Sequence, residues 1–187
     1  MTDPTHNESA LEFRELTLSD IHDSLLDSFE RRQVVKRCWR RIGGQMRLVE
    51  APFVDDWDVA ERQEVIAALR RTNAQDGLVY GAFQAGALKG FVCVSSVASG
   101  SEGQYLDLSM LHVSAEMRGR GIGKALLQYA KQWARERGAR KLYISAHSSE
   151  ESQAFYRLSG AVDAEEIDPI HAANEPYDCQ MELELSK

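Results

Sequence analysis

The chain has 187 residues, 43% of them hydrophobic and 27% charged, with a formal net charge of -7. Such values fit a single soluble domain spanning residues 1–187 with a sizeable core, and the acidic balance, with a pI near 5.3, excludes broad nucleic-acid affinity, which relies on a basic surface. The polar start "MTDPTHNESA" has no apolar segment, no apolar run approaches the ~18 residues of a membrane span, and Cys38, Cys93 and Cys179 show no CxxC spacing, so the expected setting is a reducing cytoplasm without membrane or disulfide framework.

Residues 1–10 are expected to fray. Residues 12–16 read as a short strand, followed by a helix opening at Ser19 or Asp20, both good caps, with Ile21, Leu25, Leu26 and Phe29 as its apolar stripe. Residues 31–57 then form a hairpin-like insertion in which two alternating runs flank Gly43 and Gly44. A second helix over residues 58–72 follows an acid-rich start and carries Val59, Val65, Ile66 and Leu69 at roughly helical spacing.

From Leu78 the pattern becomes a three-strand meander: "LVYGAF", "ALKGFVCVSSV" and "YLDLSMLHV". A helix over residues 121–137 puts Ile122, Leu126, Tyr129, Ala130 and Trp133 on one face and stops at Gly138. "KLYISAH" is the next strand, so strand, helix and strand make a right-handed parallel crossover. Residues 150–159 read as a short helix burying Ala154, Phe155 and Leu158, and "YDCQMELEL" alternates like a half-exposed antiparallel strand.

The stretch "EMRGRGIGKALLQYAKQWARERG" holds the chemistry. A turn rich in glycine exposes backbone N–H groups and a helix N-terminus adds partial positive charge, so this junction is suited to an anion. A P-loop would need glycine where Arg118 stands and Ser or Thr where Ala125 stands. A dinucleotide fingerprint would need its third glycine at Lys124 and would open a doubly wound sheet instead of following a meander. The fitting pattern is R/QxxGxG, here Arg118, Gly121 and Gly123, after a strand ending "LHV" and before an amphipathic helix.

That pattern resembles motif A of the GNAT superfamily of acetyl-CoA-dependent N-acetyltransferases. "FRELTLSDI" is similar to the family's first strand and helix start, and "SSEESQAFYRLSGAV" to its later segment NxxAxxFYxxxGF, with Ser149, Ser152 and Ala161 replacing the usual Asn, Ala and Phe. The resemblance implies a mixed α/β sheet with a splayed parallel pair. It implies acetyl-CoA as cosubstrate, held by Arg118, Gly119, Arg120, Gly121, Ile122, Gly123 and Lys124 at the pyrophosphate. Backbone groups of Leu111, His112 and Val113 would lie against the pantetheine, and Ser149 would bond one of its amides.

Tyr156 matches the family's tyrosine that protonates the departing thiolate, a reasonable role for a phenol of pKa ~10 facing the conjugate base of a thiol of pKa ~8.5. Asp107 stands in the register where the histone-acetylating branch carries its glutamate base, and His147 is a second candidate base. His112 lies on the opposite alternation from Asp107 and reads as a packed or surface residue, not a catalytic one. No metal-ligand spacing links His22, His112, His147 and His171, and HExxH is absent.

The expected acceptor is a small-molecule or peptide amine; a second copy of the chain, forming a homodimer, is the other partner the reading leaves open. Asp55, Asp56 and Asp58, with Glu165, Glu166 and Asp168, form two acidic clusters that would attract a cationic amine if they converge on the thioester, while the arginine-rich hairpin would be a solvated or partner-binding face. Two other readings keep the fold: an acyl-CoA sensor, which needs Gly121 and Gly123 but not Tyr156, and a protein-interaction module built on the hairpin.

Overall fold

The computed structural model describes residues 10–185; the expectation about the chain's start, Ala10 aside, lies outside them. The elements run β1 (Glu12–Glu15), β2 (Gln33–Ile42), β3 (Gln45–Asp55), α1 (Val59–Ala74), β4 (Leu78–Gln84), β5 (Ala87–Ser99), β6 (Tyr105–Val113), α2 (Ile122–Glu136), β7 (Lys141–Ala146), α3 (Glu150–Leu158), β8 (Val162–Asp163), α4 (Pro169–Asn174) and β9 (Cys179–Glu184). Seven strands form one sheet in the order β1-β4-β5-β6-β7-β9-β8, and β2 and β3 pair separately. Every pairing in the large sheet is antiparallel except β6 with β7. No helix among the described residues is long and apolar enough to cross a membrane.

Two apolar layers clamp the sheet. On one face α2 buries Ile122, Leu126, Leu127, Ala130 and Trp133 against Val92, Leu106 and Leu108. On the other, Ile66 and Leu69 of α1 meet Phe29, Phe91 and Cys93. A capping box starts α1: Asp58 accepts from the Glu61 amide at 2.8 Å and Glu61 accepts from the Asp58 amide at 2.7 Å. This geometry leaves Val59 at the first helical position, pointing to solvent, so the expected apolar stripe shortens to Ile66 and Leu69 with Val65 at its edge.

The helix expected from Ser19 or Asp20 is instead a run of tight turns. Leu25, Asp27 and Phe29 donate to the carbonyls three residues back, His22, Ser24 and Leu26. Tertiary donors take carbonyls that a helix would use internally: Arg62 reaches Leu26 and Phe29, and Arg70 reaches Ile21. The apolar residues named there are still buried. The burial pattern was therefore legible and the backbone that achieves it was not.

Two features open the site. The parallel pairing of β6 and β7 covers only Tyr105, Asp107 and the residue between them, opposite Lys141, Leu142 and Tyr143, after which the strands separate. Within β6, Cys93 partners Met110 while Val94 partners Leu108, so Ser109 is extruded as a bulge. The bulge swaps faces along the strand. Leu106 and Leu108 pack on the α2 side, Met110 and His112 on the α1 side, and Leu111 and Val113 return to the α2 side. His112 consequently stands on the Asp107 face, against the unbroken alternation expected from the sequence.

The face of α3 also differs from expectation. Gln153 and Tyr156 turn inward, whereas Ala154 and Leu158 are exposed and Phe155 is half-buried. The Gln153 amide donates to the carbonyls of Ala146 at 3.2 Å and His147 at 3.0 Å, which ties that face of the helix to the end of β7. Strand β9 lies between β7 and β8, with Met181, Glu182 and Leu183 all buried, so it is an interior strand and not a half-exposed one.

Candidate active site

Beyond the point where β6 and β7 part, the end of β6, the loop into α2 and α3 bound a cleft of about 840 Å³ lined by Leu111, Val113, Arg118, Gly119, Gly121, Ile122, Gly123, Lys124, Ser152 and Tyr156, with Gln33 and Val34 of the hairpin as its rim. The chain between β6 and α2 bends through Gly119 at φ 75° and Gly121 at φ 81°, left-handed values that side chains disfavour. A Cβ at either position would meet nothing within 4 Å. What needs glycine there is therefore the conformation, and the space above remains free for a ligand. The amides of residues 119–124 find no acceptor among the described residues. They form the fan of donors, at the N-terminus of α2, that a pyrophosphate requires.

The cations of this loop divide. Lys124 is exposed and lines the cleft; Arg120 is exposed and does not. Arg118, expected to add charge toward the anion, spends its guanidinium on three carbonyls: Val113 at 3.1 Å, Arg32 at 3.0 Å and Arg31 at 2.9 Å. It works as a clasp between the end of β6 and the segment before β2. Ser149 also departs from expectation. It is fully buried, caps α3 by accepting from the Ser152 amide, and lies outside both cavities. Ser152 lines both instead, and its hydroxyl is 2.9 Å from that of Ser149.

A second cavity of about 290 Å³ adjoins the first, sharing Leu111, Val113, Ser152 and Tyr156 with it and adding Ser109, Ser145, His147, Glu175 and Asp178. Tyr156 stands at the junction with only 8% of its surface exposed. Its hydroxyl makes no hydrogen bond among the described residues, and burial, followed by the negative charge of Asp178, pushes its pKa up. At neutral pH it therefore carries a proton to give. His147 accepts the Ser149 amide at Nδ1, 3.2 Å away, and burial lowers its pKa. His112, edge-on to Trp57 at 4.9 Å between ring centres, is held down to about 3 by burial, with help from Arg31.

Asp107 does not line either cavity. It sits at the last parallel pair, and His171 of α4 covers it with Nε2 at 3.3 Å from the carboxylate. The carboxylates of the two acidic clusters line neither cavity and are already partnered. Asp55 pairs with buried Arg31, Asp56 caps the Trp57 amide, Asp58 caps α1 and Asp168 caps α4. Glu165 reaches Lys141 at 3.1 Å and Glu166 accepts from Ser101 and Gln104. The carboxylates that do face the second cavity are Glu175 and Asp178, which no sequence motif marked. Two hairpin arginines tie the hairpin to the segment that starts α3: Arg37, still exposed, grips Glu150 with bonds of 2.9 and 2.7 Å, and Arg40 reaches the Ser148 hydroxyl at 2.6 Å.

The pair of His171 and Asp107 sets a pH dependence of stability. The Asp107 carboxylate raises the His171 pKa to about 9, from ~6.5 in an unfolded chain. A raised folded-state pKa contributes stability that is full below pH ~6.5 and lost as the pH climbs through about 9. The difference in urea midpoint between the parent and His171→Gln should therefore be largest at pH 6 and vanish by pH 10. A difference that grows with pH would refute the pairing.

A mixed sheet whose central parallel pair splays beside a fan of free amides at a glycine turn is the architecture of an acyl-CoA-dependent transferase. Residues 44–161, well over half of the chain, match the acetyltransferase (GNAT) family, and the chain belongs to it. Among solved structures it is similar to nourseothricin acetyltransferase, with a TM-score of 0.70 and 21% identity over 95% of this chain and 100% of that one. It is also similar to a protein of Bacillus anthracis assigned as a streptothricin acetyltransferase, in complex with acetyl coenzyme A (0.65, 17%, 92% and 96%). A third is the PaiA N-acetyltransferase of Thermoplasma acidophilum in complex with coenzyme A (0.60, 18%, 94% and 99%). No curated protein matches the chain significantly.

Proposed function

We propose that the protein transfers the acetyl group of acetyl-CoA directly to the primary amine of a small cationic acceptor in the cytoplasm. The observation that carries this reading is a continuous path: from the free amides of residues 119–124, along the open edge of β6 at Leu111, His112 and Val113, to the partnerless hydroxyl of Tyr156. In this reading the amide fan, with Lys124 beside it, holds the pyrophosphate. The backbone of β6 orients the pantetheine as an added strand would, and one of its N–H groups polarises the thioester oxygen. Tyr156 protonates the sulfur as the carbon–sulfur bond breaks. Two lines support a small acceptor: the second cavity holds about 290 Å³, and structural neighbours include enzymes named for acting on nourseothricin and on the 6'-amine of aminoglycosides. Its carboxylates, Glu175 and Asp178, support a cationic one.

Calorimetry with acetyl-CoA, followed by thiol release across primary amines, amino acids and peptides, tests the reading. Screening of exposed charge should raise the acceptor's KM between 50 and 500 mM salt while leaving kcat unchanged, because the Debye length falls from roughly 14 Å to about 4 Å. A KM indifferent to salt would remove the case for a cationic acceptor. Absence of acetyl-CoA binding would overturn the whole reading.

A further inference from the structure

The second cavity holds a carboxylate placed for a chemical task. Asp178 lies in the turn before β9, its amide donating to the Glu175 carbonyl at 3.0 Å, and its side chain shares the cavity with Tyr156. Tyr156 supplies the independent sign that a ligand belongs there: a side chain more than nine-tenths buried whose hydroxyl faces the cavity without a protein partner. We propose that Asp178 seats the ammonium group of a primary alkyl amine in this cavity and takes its proton as the nitrogen attacks the thioester. This deepens the acetyltransferase reading and rests on it.

The alternatives within the cavity are poorer bases. His147 has its Nδ1 occupied by the Ser149 amide, so its other nitrogen carries the hydrogen and can only donate. His112 is neutral and packed on Trp57 and Phe91. Asp107 is outside the cavity and paired with His171. Asp178 is faced by Glu175 from its own turn, Arg40 from β2, Asp55 from β3, Tyr156 from α3 and Cys179 beside it, with Arg31 and His147 on the same cavity wall. Burial first, then Glu175, holds its carboxyl up at about 6, against Arg40 and the Ser148 amide. It is therefore ionised at neutral pH and more basic than an ordinary aspartate.

The protons balance. The ammonium gives one to Asp178, and the freed lone pair forms the new nitrogen–carbon bond. As the carbon–sulfur bond breaks, Tyr156 gives its hydroxyl proton to the sulfur. The second proton lost by the nitrogen then returns to the Tyr156 oxygen, and Asp178 releases its proton to water. The products are the neutral amide and the free thiol.

The test uses the full chain with acetyl-CoA and two probes, n-butylamine and 1,4-diaminobutane, following thiol release from pH 5 to 9. In Asp178→Asn, kcat/KM for the amine should fall roughly hundredfold and lose its acid limb near pH 6, while acetyl-CoA affinity stays within about twofold. Glu175→Gln provides an independent check at an exposed position: removing that charge should shift the acid limb to lower pH. An unmoved limb in Glu175→Gln, or an unchanged rate in Asp178→Asn, overturns the assignment with acetyl transfer intact. A parent that binds acetyl-CoA but acetylates neither probe overturns the alkyl-amine acceptor. A parent that does not bind acetyl-CoA overturns the acetyltransferase reading itself.

Discussion

Gly121→Glu is expected to weaken acetyl-CoA binding at least a hundredfold by calorimetry while leaving the protein folded. Position 121 is the N-cap of α2 at φ 81°, where a side chain costs ~1–2 kcal/mol of backbone strain. That cost does not fall on packing, since a Cβ there meets nothing within 4 Å. The larger effect is electrostatic and steric. The glutamate would stand in the space above the amides of residues 119–124 and set a negative charge against the pyrophosphate proposed to bind there. Gly121→Ala separates the two contributions: it keeps the strain and omits the charge, so its loss should be about tenfold or less. If Gly121→Glu binds acetyl-CoA as the parent does, this loop is not the site.

Tyr156→Phe is expected to lower kcat roughly hundredfold, the scale of one general acid, with the Kd for acetyl-CoA changed by less than about threefold. The structure makes this substitution unusually clean. The ring is buried and is retained, and the hydroxyl has no protein partner to lose. Thermal stability should therefore stay level or rise slightly, since a buried hydroxyl without a partner costs more than a hydrogen in its place. Unchanged turnover in Tyr156→Phe would assign Tyr156 to packing alone. A loss of stability together with activity would mean that the hydroxyl serves the fold.

The regular parts of this protein were legible because their signals are local. The glycine pair at Gly43 and Gly44 supplies the two left-handed residues that a two-residue hairpin turn requires, at φ 58° and 81°. Short apolar runs broken by turn residues from Leu78 onward gave the meander, and helical spacing gave α2 its buried face. The glycine loop stood out as a candidate anion site because the left-handed backbone at Gly119 and Gly121 is a demand on residue type. Tyr156 was legible by family resemblance, and the structure brings it to the same cleft as the loop.

What escaped the sequence depended on partners remote in the chain. Arg118 reads as a cation beside an anion site, yet the carbonyls that occupy it belong to Arg31, Arg32 and Val113. The extruded Ser109 leaves no mark on composition, but it turns His112 onto the Asp107 face. Acidic residues look alike in a sequence, and burial and neighbours decide what each one does. Asp58 became a helix cap, Asp55 the partner of Arg31, Asp107 the partner of His171, and Asp178 the carboxylate left facing Tyr156. The sequence alone determined the family, the meander and the strand–helix–strand unit after it, and it singled out the glycine turn proposed here for a pyrophosphate, since these follow from backbone conformation and short-range periodicity. Only the tertiary structure decided which charges stay free for chemistry, because a charge is spent or spared by whatever the fold sets against it.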